Sequence, residues 1–205
     1  MHTRIGEIIE SSTLQYTAGS YELLAAPPFG SLVLAHTQEP ALQIYGVVTD
    51  VRTVSREPGG RALVRGLSYG GRELHNEQIY AAHPDLCEVL QTEFAVWVLG
   101  YREGARVLHR VPRLTAPIHY DVEAADREAL QAFGADFGFL RMLLGAAHLP
   151  VDDLIAAVVA TLMVDAPIGP HAYALRACQA VAELLRDDIP RVRQIISRIR
   201  SSAAL

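Results

Sequence analysis

Lysine is absent from this 205-residue chain, and all 18 basic residues are arginine. That excludes a phosphate-binding loop of the G-x-x-x-x-G-K-[ST] type, a Schiff base and a lysine general base. The abundance of Ala and Arg fits a GC-rich coding sequence, and the chemical exclusion stands regardless of its origin. Cysteine is nearly absent too. Cys87 and Cys178 lie far apart, with no CxxC and no histidine spacing of a zinc site, so both are expected to be buried small hydrophobes. No G-x-G-x-x-G and no aromatic nucleic-acid signature occurs, and the net charge of −5 argues against a nucleic-acid partner. The N-terminus, MHTRIGEIIE, lacks the cationic and apolar regions of a secretory signal, so the expectation is a cytoplasmic protein. The most apolar run, Leu154 to Val164, is interrupted by Thr161 and falls short of the ~20 residues a spanning helix needs. It reads as a buried helix.

What is present has the balance of a globular protein, with 50% apolar and 20% charged residues. The longest strand-forming run is Ala41 to Ser55, whose β-branched and aromatic residues favour a half-buried pleated backbone. Gly46 in its middle predicts a bulge, a bend or the close approach of another backbone. Strands are also expected over Arg4 to Glu10, Leu14 to Ala25 and Gly30 to Thr37, separated by Ser11-Ser12, Pro27-Pro28 and Gln38-Glu39-Pro40. Such short connections imply antiparallel hairpins or a barrel. A short strand at Arg61 to Arg65 and a loop at Gly66 to Gly71 follow. Glu73 to Leu90 reads as helix broken at His83-Pro84, and the chain then returns to strands at Glu93 to Tyr101 and Ala105 to Val111.

After Asp121 the hydrophobic period changes from two to 3.6. Leu130, Phe133, Phe137, Leu140 and Leu144 recur at helical spacing, with Gly134 and Gly138 four apart as small residues that permit close packing. Further helices are expected over Val151 to Val164, over Pro170 to Arg186 and from an Asp188 cap to about Ser202. The fold class is therefore α+β: a small antiparallel β-barrel at residues 1–118, with a helical insertion near 73–90, then an α-helical domain at 122–205.

Three patterns carry candidate chemistry. Gly66-Leu67-Ser68-Tyr69-Gly70 matches G-x-S-x-G, the elbow that presents a nucleophilic serine, but the antiparallel context before it is wrong for that fold. Glu73, His75, Glu77, His83 and Asp85 are dense in metal-ligand types without a recognised metal spacing, and read as a solvated helix face. Arg56, Arg61 and Arg65 flank a glycine turn and read as solvated loop arginines. The last helix holds a stripe of Val192, Ile195, Ile196, Ile199 and Ala203 flanked by Arg191, Arg193, Arg198 and Arg200, with no acidic residue from Ile189 onward. These four arginines are the candidate interaction residues. Either the stripe packs on its own chain, the reading favoured because aromatic anchors are missing, or it docks on an anionic partner or membrane surface.

Ile5-Gly6-Glu7-Ile8-Ile9-Glu10-Ser11-Ser12-Thr13, Gly30-Ser31-Leu32-Val33 and Tyr45-Gly46-Val47-Val48 together resemble the HAS barrel, the N-terminal barrel of HerA-type ATPases and of the ATP synthase α and β subunits. With APPFGSLV, IYGVV and the LLGA near residue 145, the chain also resembles standalone cyanobacterial-type proteins that join this barrel to a helical C-terminal region. In the ATPases the barrel holds ring subunits together and forms a docking crown, so the resemblance implies assembly. Their motor domain is replaced here by helices, so catalysis is not implied. The functional expectation is a non-enzymatic, cofactor-free assembly or adaptor protein that forms homo-oligomers or binds a protein partner such as a HerA-like or ATP-synthase-like ATPase. The alternatives are a serine hydrolase using Ser68 and a nucleic-acid-associated accessory factor.

Overall fold

The computed structural model describes residues 3–67, 71 and 73–202. Seven strands form one antiparallel sheet: β1 (Arg4–Ser11), β2 (Gln15–Ser20), β3 (Leu32–His36), β4 (Leu42–Ser55), β5 (Leu90–Glu103), β6 (Arg106–Leu108) and β7 (Asp121–Ala124). Their order is β2-β1-β7-β3-β4-β5-β6, and β2 pairs again with β5. That extra pairing closes a six-stranded barrel, with β6 added as a hairpin arm on β5. Closure removes the edges at which an open sheet would recruit other chains.

Gly46 behaves as its mid-strand position predicts. The β4–β5 register shifts between Tyr45 and Gly46, and a Cβ at Gly46 would lie 2.2 Å from the Val96 side chain. Gly6 is the counterpart on β1, where a Cβ would sit 2.4 Å from the Gly19 carbonyl. Two backbones approach where a side chain would keep them apart.

Between the strands lie α1 (Glu77–Ala82) and α2 (Leu86–Val89), and after them come α3 (Arg127–Phe133), α4 (Phe139–Leu144), α5 (Val151–Val164), α6 (Pro170–Leu184) and α7 (Ile189–Ser202). Several expected elements differ. Arg61 to Arg65 forms no strand and lies in the loop between β4 and α1. The helix expected over Glu73 to Leu90 is broken at His83-Pro84 as expected, but it begins only at Glu77 and stops before Leu90, which belongs to β5. The helix implied by the spacing from Leu130 to Leu144 is two helices: Gly134 ends α3, and the Asp136 carboxylate accepts from the Gly138 amide at 2.7 Å to start α4. Each glycine costs a helix interior roughly 1 kcal/mol, enough to favour a break between two turns that pack separately.

The barrel end expected at residue 118, with helix from 122, also differs from the structure. β7 lies at Asp121–Ala124 and supplies the stave between β1 and β3, pairing Val122 with Gly6 and with Ala35. A four-residue strand is too short to show a period of two against the helical pattern that follows.

Two cores result. One fills the barrel with Ile8, Tyr16, Val33, Ile44, Val48, Phe94, Val96 and Val122, among others. The second lies outside it, where Leu32, Leu34, Tyr45, Val47 and Leu99 on the outer wall of β3, β4 and β5 meet Phe133, Phe139, Leu143, Leu154, Val158 and Ile195 of the helices. Tyr45 packs 4.9 Å from Phe133 by ring centroids, and its hydroxyl donates to the Ala129 carbonyl at 3.4 Å. His109, nearly buried, stacks edge-on at 4.7 Å against the same Phe133 and pairs with Asp136 at 2.8 Å. Barrel and helices thus share one hydrophobic layer.

Candidate interaction surface

The C-terminal helix supplies the first test of the sequence-derived residues. Val192, Ile195 and Ile199 are buried against α5 and α6, while Ile196 is half-buried. Asp152 and Asp153 stand in the first turn of α5, where the positive helix end favours carboxylates. Arg191 reaches Asp152 at 2.9 Å and Arg198 reaches Asp153 at 2.8 Å. The Asp188 side chain accepts from the Arg191 amide at 3.1 Å, as its place before the helix predicts. The stripe therefore packs on its own chain, and two of the four arginines are spent on α5. Arg193 and Arg200 remain exposed.

Arg200 borders a groove between α6 and α7 that sequence reading missed. It has a volume of about 640 Å³ and is lined by Leu175, Cys178, Ala182, Ile196 and Ile199, with Leu175 62% exposed. Its signal lay in α6, where Leu175, Cys178 and Ala182 recur at steps of three and four, but small residues of this kind serve equally in a core. Cys178 is half-buried, and burial pushes its thiol pKa up, so it is a poor nucleophile. Cys87, expected to be buried, is exposed as the second residue of the short α2.

The remaining candidates do not converge. Ser68 and Ala203 lie outside the described residues. Glu73 and His75 stand 3.8 Å apart, while Asp85 is held by Arg65 at 3.1 Å. Among the described residues no three His, Cys, Asp or Glu side chains group as a metal ion would need. Arg56 donates to the Leu90 carbonyl at 3.2 Å, bracing the β4–β5 hairpin. No described helix is long and apolar enough to cross a membrane.

The barrel wall itself is asymmetric. Its β3-β4-β5 side is sealed by the helices, whereas on β1 and β2 Glu7 and Thr17 are half-buried and Glu10 and Gln15 are exposed. Tyr21, just past β2, ties this side to the closing strand by donating to the Asp121 carboxylate at 2.6 Å, and Arg4 meets the same carboxylate at 3.2 Å. Among the described residues this wall carries Glu7 and Glu10 beside the half-buried Ile9, and none of its residues belongs to the core shared with the helices. Residues 5–104 match the family model of the HAS barrel domain. No curated protein shows a significant match to the chain.

Proposed function

We propose, from the premise that this chain carries a HAS barrel domain at residues 5–104, that it is a non-enzymatic assembly or adaptor protein whose open barrel wall docks a protein partner. The observation that carries this reading is the asymmetry of the barrel, sealed on β3-β4-β5 by its own helices and uncovered on β1-β2. A second copy of the chain or a HerA-like or ATP-synthase-like ATPase is the partner class, by analogy of fold. The lysine-free sequence supports a role without nucleotide hydrolysis.

The test is coexpression with the HerA-like and ATP-synthase-like ATPases of the same genome, with size-exclusion chromatography and light scattering of the purified chain. Complex formation or self-association lost in the double variant Glu7→Arg, Glu10→Arg, and kept in Arg193→Glu, Arg200→Glu, supports docking through the barrel. A monomer that binds neither ATPase, or one whose Ser68 is labelled by a fluorophosphonate, overturns the reading.

A further inference from the structure

Closure of the barrel does not reach the far end of β4. β3 pairs with it from His36 opposite Gln43 to Leu32 opposite Val47, and the Ser31 and Gly30 backbones carry the contact on to Val48. β4 then continues to Ser55, and from Asp50 onward its one ladder partner is β5. The Arg56 amide donates to the Val89 carbonyl at 2.9 Å, and no register shift falls between Asp50 and Ser55. Backbone groups alternate between the two sides of an antiparallel strand, so Asp50, Arg52 and Val54 turn theirs toward β5 while Val51, Thr53 and Ser55 turn theirs away. Among the described residues no backbone hydrogen bond meets those three on the open side.

The described part of the loop after β4 is drawn the other way, because Arg65 meets Asp85 beside α2 at 3.1 Å. Asp50, Val51, Arg52 and Thr53 are all exposed. An unpaired strand edge is a template for another strand, and the charges it carries decide which strand fits. Here the run Thr49-Asp50-Val51-Arg52-Thr53 is complementary to itself when read backwards. An antiparallel copy with Val51 opposite Val51 sets Asp50 against Arg52 and Arg52 against Asp50, with Thr49 and Thr53 at the ends. Sliding the copy to the next register that keeps the hydrogen bonds puts Arg52 opposite Arg52 in one direction and Asp50 opposite Asp50 in the other. Like charges directly opposite are destabilising, so one register is selected.

We propose that two copies of this chain pair antiparallel along the β4 edge about Val51, joined by the backbones of Val51 and Thr53 and by two Asp50–Arg52 pairs. Such a contact uses the same patch on both copies, as a two-fold dimer requires. Arg52 is already oriented by Glu93 of β5 at 2.8 Å, and a guanidinium has donors enough for both carboxylates. Asp50 has no ion pair among the described residues, and the second copy supplies one. The edge belongs to β4 rather than to β1 and β2, so the pairing stands whether or not the open wall docks a partner.

The test is light scattering of the full-length protein over a dilution series, with amide exchange followed by NMR. A dimer that dissociates on dilution is expected, with the Val51 and Thr53 amides protected in the dimer and exchanging freely in the monomer. Val51→Pro removes an amide that faces the open edge and spares the ladder to β5, so it should give a folded monomer. Asp50→Arg makes both cross-strand pairs repulsive and should weaken the dimer about tenfold or more. Mixing Asp50→Arg chains with Arg52→Glu chains should restore it, since each then opposes its complement. If Val51→Pro does not fold, the charge variants decide. The proposal is overturned if the natural protein stays monomeric at NMR concentrations or if Asp50→Arg dimerises as tightly as the natural chain. It is equally overturned if Glu7→Arg, Glu10→Arg abolishes the dimer while Asp50→Arg does not, which would place the interface on the open wall instead.

Discussion

β1 and β3 belong to the same barrel and flank the same closing strand, yet they are built to opposite specifications. β3 reads LVLAH and buries Leu32, Val33, Leu34 and Ala35 completely or nearly so, because the barrel interior takes Val33 and Ala35 while the helices take Leu32 and Leu34. β1 reads RIGEIIES and mixes Ile8 in the barrel with half-buried and exposed polar positions around it. A strand buried on both faces is continuously apolar, and one facing water alternates. The comparison shows that the helical region is the outer lining of half a barrel rather than an appended unit.

The largest expected effect comes from cutting that lining away. Reading the sequence alone places a boundary near Asp121 and expects a chain ending near Val122 to fold as an all-β unit. Such a chain exposes Leu32, Leu34, Val47 and Leu99 and loses half of β7. Burial of those four side chains stabilises by roughly 6–12 kcal/mol in all, comparable with the total stability of a typical domain. The truncated chain should show no cooperative thermal transition by far-UV circular dichroism and should elute as aggregate. A sharp, reversible melt would break the comparison and restore an autonomous barrel.

Single substitutions sharpen it. Phe133→Ala empties the centre of the shared layer, where Tyr45, His109 and Phe139 all contact the ring, and should cost about 3–5 kcal/mol by chemical denaturation. Thr17→Ala on the open wall should stay within about 0.5 kcal/mol. Near-equal values would mean that the two walls are not different in kind.

The smallest effect concerns the seam of the open wall. The Tyr21 phenol is pushed up to about 12, first by its hydrogen bond to Asp121 and then by partial burial. Because the folded value lies above the unfolded one of about 10, the bond contributes fully below pH 10 and is lost as pH rises through about 12. Tyr21 is 52% exposed, so solvent screens the contribution. Burial also pushes up the phenols of Tyr16, Tyr45 and Tyr173, so spectrophotometric titration should show one of several high-titrating phenols returning toward 10 in Asp121→Asn. An unchanged titration curve would mean that Tyr21 does not hold the seam.

Much of the fold was legible because local chemistry and final structure agreed. The expected strand at Arg4 to Glu10 lies within β1, that at Ala41 to Ser55 covers β4 with one residue to spare, and the helix over Val151 to Val164 appears with the same ends. The register shift at Gly46 is one of the outcomes its mid-strand position predicts, and the Val192, Ile195 and Ile199 stripe takes the favoured of its two readings, packing on its own chain. The candidate site was less legible. Arg191, Arg193, Arg198 and Arg200 look alike in sequence, and only the position of α5 separates the two that meet Asp152 and Asp153 from the two that stay exposed.

The sequence by itself determined which residues are strand or helix formers, where glycine and proline interrupt them, that the first part is an antiparallel barrel and the last part helical, and that lysine chemistry is unavailable. Those properties depend on neighbours along the chain. Only the tertiary structure decided that β7 joins β1 to β3 within the barrel, that one wall is sealed by the helices, and that Tyr173 packs against Gly134 with its hydroxyl buried. Each of these depends on residues distant in sequence, such as Val122 with Gly6, Tyr45 with Phe133 and Gly134 with Tyr173, which no local pattern brings together.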